Sequence, residues 1–154
     1  MKQWRFIFLL ILFLSLILLF VLYPTDEKRI RKIINNAEKA IASENIDKLM
    51  EVISFNYKDD YGNGYLQIKK TMEMVFKRLN GIEIEKNIIK ISVKEDSAEA
   101  ELSVRVNASR HGEATEGEEK GYVIGDAGKA ETIKVFFENS PHKWLITKVE
   151  GVFE

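Results

Sequence analysis

The sequence predicts an α+β domain carried behind an N-terminal apolar helix. Three observations predict it. An unbroken apolar run opens the chain, apolar residues from Ile30 to Leu79 recur at spacings of three and four, and from Ile82 onward they recur at a spacing of two. Runs of helical pattern followed by runs of strand pattern argue for helices packed on one face of an antiparallel sheet.

The first element spans residues 6–23, which are 18 consecutive residues with one polar member, Ser15. A helix of that length is roughly 27 Å long, close to the hydrocarbon core of about 30 Å. Trp4 precedes the run and Tyr23 ends it, and both side chains favour the headgroup level. No small-residue cleavage site stands near Val21-Leu22-Tyr23-Pro24, and the first alanine of the chain is Ala37. Residues 1–24 therefore read as an uncleaved signal anchor that holds the membrane through residues 6–23. A cleaved leader with an atypical site is the alternative. A bare count of Lys2 and Arg5 against Lys28, Arg29, Arg31 and Lys32 would leave the domain in the cytoplasm. Asp26 and Glu27 intervene, however, and large domains cross despite their charges, which favours an extracytoplasmic domain.

Residues 25–154 form the second unit. Thr25 or Asp26 can cap a helix whose apolar face is Ile30, Ile33, Ile34, Ala37 and Ile41. Ser43-Glu44-Asn45 interrupts it, and a short helix with Ile46, Leu49, Met50 and Ile53 follows. Phe55 to Gly64 reads as a short strand and a turn. A third helix carries Leu66, Met72, Val75, Phe76 and Leu79, with Asn80-Gly81 as a left-handed stop. Ile82 and Ile84 then fall on even numbers, whereas Ile89, Ile91 and Val93 fall on odd ones. That parity switch predicts a bulge near Lys86-Asn87-Ile88, turning both Ile84 and Ile89 toward apolar surroundings.

The next strand has an apolar face from Ala98 to Ala108 and a polar face of Glu99, Glu101, Ser103, Arg105 and Asn107. Tyr122-Val123-Ile124 can add a short piece. Ile133, Val135 and Phe137 alternate in the following strand, and Trp144 to Val149 make the last.

This pattern resembles the nuclear transport factor 2-like superfamily, shared with ketosteroid isomerase and scytalone dehydratase. The resemblance rests on Ala37-Glu38-Lys39-Ala40-Ile41, on Asp47 to Ile53, on the aromatic and acidic stretch from Phe55 to Gly64, and on the closing meander. It implies a cone of three helices packed on a bent antiparallel sheet around a pocket, often in dimers. It implies no activity, because the fold hosts isomerases, dehydratases, transport receptors and assembly modules. In layout the chain is also similar to inner-membrane assembly factors of type IV secretion systems.

Composition narrows the function classes. Basic and acidic residues number 23 and 24, so a dedicated nucleic-acid binder is not expected. The chain has no cysteine and two histidines, which argues against thiolate chemistry and a histidine-rich metal site. No cofactor motif is present. Isomerase chemistry needs a carboxylate base beside acid donors, and Tyr57, Asp59, Asp60 and Tyr61 are the local set with those groups. Asp before a Gly-Asn-Gly turn is more often a turn residue. His111 and His142 sit in polar loops, and Glu113, Glu116, Glu118 and Glu119 lack the spacing of a calcium loop. No catalytic residue and no metal ligand is therefore assigned. Tyr57, Asp60 and Trp144 remain the ligand-pocket candidates. The leading expectation is a membrane-anchored, non-enzymatic interaction or assembly module of the cell envelope, with a protein partner or a weak homodimer. The alternative is a small-molecule binder or isomerase/dehydratase-type enzyme that uses the pocket.

Overall fold

A computed structural model describes residues 8–15, 25–110, 122–124, 130–141 and 143–151, the side chains of 110 and 122–124 excepted. The helices are α1 (residues 8–15), α2 (Asp26–Ala42), α3 (Ile46–Met50) and α4 (Tyr65–Arg78). The strands are β1 (Leu79–Lys94), β2 (Ser97–Arg110), β3 (Tyr122–Ile124), β4 (Glu131–Ser140) and β5 (Lys143–Glu150). Only the α1 portion of the expected membrane helix is described; residues 6–7 and 16–23 lie outside the described residues. Among the described residues no helix is long and apolar enough to cross a membrane.

Thr25 caps α2 by accepting from the Lys28 N–H, and Asp26 and Glu27 place negative charge in the first turn, where the helix dipole favours it. The buried face is Ile30, Ile33, Ile34 and Ala40, as the spacing of three and four requires. The helix ends with Glu44 in the left-handed region at φ 52. Its N–H donates to Ile41 and that of Asn45 donates to Ala40, closing the last turn. The Glu44 carboxylate then accepts from the Gly81 N–H at 3.1 Å, which ties the helix end to the start of β1. Asn45 caps the next helix by accepting from Lys48. That helix stops at Met50, short of the expected Ile53, because Ile53 leaves to bridge Ile146.

The sheet is antiparallel in the order β1-β2-β4-β5, with β3 beside the Val106–Ala108 end of β2. Ala98, Ala100 and Leu102 of β2 meet Ile30, Ile33 and Ile34 of α2 in one core with Val135, Phe137, Trp144 and Ile146. The free edge of β5 is covered from the helix side. The Ile146 N–H donates to Val52, and Ser54 donates back to Ile146, at 2.9 and 2.8 Å.

Two expectations are corrected here. Gly81 is left-handed, at φ 59, but it does not stop α4; Leu79 is already extended, and Gly81 sits in a first irregularity of β1 between Asn80 and Glu83. The parity switch is present between Ile88 and Lys90. Its extra residue is Ile89 itself, which is 51% exposed rather than turned inward, while Ile88 and Ile91 on either side pack on the core. A third irregularity, between Phe136 and Phe137, lets both Val149 and Ile146 face the core.

Trp144 is 2% exposed, and its indole N–H donates to the Asp26 carboxylate at 3.0 Å. A buried donor left without a partner costs about 1–3 kcal/mol. Asp26→Ala should therefore lower stability by about that much in urea unfolding, and Asp26→Asn, which keeps an acceptor, by clearly less. Equal losses for the two variants would show that the hydrogen bond is not what matters at this position.

Candidate functional site

The acidic turn that the sequence singles out closes on Asp59. Its carboxylate accepts from the N–H groups of Tyr61 and Asn63 and from the Asn63 side chain, at 3.0, 2.8 and 2.9 Å. Asp59 N–H also donates to Asn63, and Gly62 donates to Asp59. Desolvation pushes the Asp59 carboxyl upward, but the hydrogen bonds from Asn63, Tyr61 and Gly62 win and hold it below the usual carboxylate range. This is the turn role expected of an aspartate before Gly62, which sits at φ 82.

Asp60 does something else. Its carboxylate pairs with Lys148 of β5 at 2.6 Å, and Lys148 also reaches Glu150. Hydrogen bonds to Asp60 and Glu150 raise the lysine above its ordinary value. The same ammonium lies 5.8 Å from the Phe136 ring. Of the two adjacent aspartates, one makes the turn and the other fastens that turn to the sheet.

Tyr57 is 6% exposed and belongs to the core. Its backbone N–H donates to Ser54, while its hydroxyl has no hydrogen-bond partner among the described residues. Burial pushes the hydroxyl up to about 12, and the charges of Asp59 and Asp60 add to the rise. At neutral pH it is an un-ionised donor. The three sequence candidates thus end in three places: Asp60 on Lys148, Trp144 on Asp26, and Tyr57 inside the core with a free hydroxyl.

A charged pair on the inner side went unremarked in the sequence. Lys86 follows Ile82 and Ile84 on the even, inward-facing positions of β1, and its ammonium pairs with Glu38 of α2. Both side chains are largely shielded, at 17% and 27% exposure. The available signal was a lysine interrupting the series Ile82, Ile84, Ile88. Ser54 was also missed: it is buried, donates to the Glu138 carboxylate and accepts from the Asn56 N–H at 3.0 Å, so its hydroxyl is satisfied. On α4, Tyr65, Ile68, Met72 and Phe76 pack on the core only in part, and no residue of that helix is buried. Phe55, 82% exposed, lies against the Tyr65 ring at 4.6 Å between centroids.

The polar row of β2 is half-exposed on the outer face of the sheet. Arg105 pairs with Glu85 at 3.2 Å, and Lys134 with Glu99 at 3.7 Å. His111, His142 and Glu113, Glu116, Glu118 and Glu119 lie outside the described residues. Among the described residues no group of three or more His, Asp or Glu could hold a metal ion.

The arrangement has relatives among solved structures. A provisionally assigned scytalone dehydratase from Novosphingobium aromaticivorans is similar with a TM-score of 0.66 and 14% identity, over 80% of each chain. A nuclear transport factor 2-like superfamily protein from Salmonella enterica matches at 0.64 and 15%, over 81% of this chain and 89% of that one. A provisionally assigned dehydratase of the same fold family from Streptomyces avermitilis matches at 0.63 and 10%, over 80% and 93%. No protein-family model matches the chain, and a search of curated proteins returns no match. At these identities the likeness shows a nuclear transport factor 2-like fold.

Tyr57 yields a direct test. In an ultraviolet titration of the folded protein one tyrosine should ionise near 12, and Tyr57→Phe should remove that step. Because the folded value lies above the ordinary 10.0, the neutral hydroxyl's contribution to stability is complete below 10.0 and is lost as pH rises through about 12. Tyr57→Phe should flatten the fall in stability across that window.

Proposed function

We propose that the chain is a membrane-anchored, non-enzymatic interaction module of the cell envelope, with residues 6–23 as its anchor and the domain from residue 25 outside the cytoplasm. The observation that carries this reading is the use made of the acidic groups. The Asp59 carboxylate accepts three hydrogen bonds within its own turn, and Asp60 is held by Lys148. Acid–base catalysis needs a carboxylate free to reach a substrate proton, and neither of these is. The anchor is supported by the length and apolarity of residues 6–23. The outer face of the sheet, with its mixed row of Glu99, Glu101, Ser103, Arg105 and Asn107, suits a wet, reversible contact with a partner or a second copy.

One observation favours a second reading, a small-molecule binder or an isomerase or dehydratase working between helices and sheet. Tyr57 is buried in the core, and its hydroxyl is neutral and makes no hydrogen bond among the described residues, as a donor available to a ligand would be. Two provisionally assigned dehydratases share the fold.

The protein should remain with membranes through salt and carbonate washing, and protease added to the outer face should remove the domain. Release by carbonate would count against the anchor, and protection of the domain in intact spheroplasts would reverse its orientation. For the chemistry, Asp60→Asn should leave complementation of a deletion strain intact, with a modest loss of stability from the weakened pair with Lys148. Loss of complementation at unchanged stability in Asp60→Asn or Tyr57→Phe would transfer the function to the interior site.

A further inference from the structure

The outward face of α2 is one-sided in charge. Lys28, Arg31, Lys32 and Lys39 are exposed there, with Asn35 and Asn36 between them. The one acid among them is Glu27, and Arg31 holds it at 2.8 Å. Lys28, Lys32 and Lys39 form no ion pair among the described residues. The remaining acids of the helix are turned away: Asp26 serves Trp144 and Arg29, and Glu38 serves Lys86 on β1. The opposite face, Ile30, Ile33, Ile34 and Ala40, is buried on the sheet. The net charge of the whole chain is -1, so this excess of positive charge is local.

Its position along the chain says what it meets. Asp26 follows Tyr23, the last residue of the apolar run, by three residues, a reach of about 10 Å at most. The helix itself is roughly 25 Å long. Its first turns therefore stay within about one screening length of the headgroups. The Trp144–Asp26 bond and the core fix α2 to the sheet, so the helix and the sheet move together.

We infer that this outward face is a headgroup-docking face, which binds the anionic phosphate headgroups of the bilayer holding residues 6–23. It lays the domain with its helices toward the lipid and the outer face of the sheet away from it. The inference rests on the anchor proposed above. Each exposed lysine or arginine near an anionic surface favours contact by about fivefold, and Lys39 shares the face with Lys28, which draws the helix down along its length.

The absence of cysteine makes the test clean. The full chain is reconstituted into vesicles of phosphatidylcholine, alone or mixed with phosphatidylglycerol, carrying a quencher on a fraction of the headgroups. A fluorophore is placed at Asn36→Cys on α2 or at Thr132→Cys on the outer side of β4, and vesicle flotation is scored in parallel. With phosphatidylglycerol, quenching at position 36 should exceed that at 132 severalfold. The difference should shrink in high salt and be lost in the triple variant Lys28→Glu, Lys32→Glu, Lys39→Glu, with flotation unchanged. The milder triple change to Gln should lose it in part, which separates loss of charge from misfolding. Flotation with equal quenching at 36 and 132, indifferent to phosphatidylglycerol and to the variants, would overturn the docking face and leave the anchor standing. Failure to float would overturn the anchor itself and the docking face with it.

Discussion

The structure depends on how one buried tryptophan is satisfied. Trp144 opens the last strand, is almost wholly removed from water, and donates its indole N–H to Asp26, the first residue of the first helix of the domain. Burying an indole removes 150–250 Å² of largely apolar surface, worth roughly 4–6 kcal/mol before ordering costs. That gain is kept only while the N–H has a partner. The bond spans 118 positions of sequence, so it closes the domain by joining its two ends. It sets where α2 begins. From there Ile146, two residues along β5, brackets the segment after α3 through Val52 and Ser54.

The same economy governs the charged groups. Asp26 satisfies an indole, Glu38 neutralises a lysine on the inner side of β1, Glu44 satisfies the Gly81 N–H, Asp59 closes a turn, Asp60 holds Lys148, and Glu138 accepts from Ser54. Each of these carboxylates joins parts of the chain. The surface chemistry then lies in what remains outward-facing. Among the described residues those surfaces include the basic side of α2 and the mixed row on the outer side of the sheet.

Much of the fold was legible because period and capping are local. The helical face of α2, the two faces of β2 and the alternation of β4 follow from spacing alone, and the cap was narrowed to Thr25 or Asp26, of which Thr25 serves. The bulge in β1 was legible as a parity change, displaced slightly because parity says that a residue is extra without saying which one the ladder leaves out; it is Ile89. Gly81 was misread because a left-handed glycine after a helical pattern looks like a stop, and only the pairing of Leu79 with Arg110 reveals the strand already under way. In the acidic turn, the sequence grouped Asp59 and Asp60 but could not divide the labour between them. That division depends on Lys148, nearly ninety positions away, brought alongside by β5. Glu38 and Lys86 escaped notice for the same reason: a pair across two elements has no sequence signature beyond one charge interrupting an apolar series.

The closure of the domain by Trp144 is open to one direct measurement, hydrogen exchange at its indole N–H followed by nuclear magnetic resonance. With the N–H held on Asp26 inside the domain, exchange should be as slow as that of the backbone amides of β2 and β4. Those strands open only when the domain unfolds. Exchange of the Trp144 indole at the rate of a free indole, with the strand amides still protected, would contradict the account.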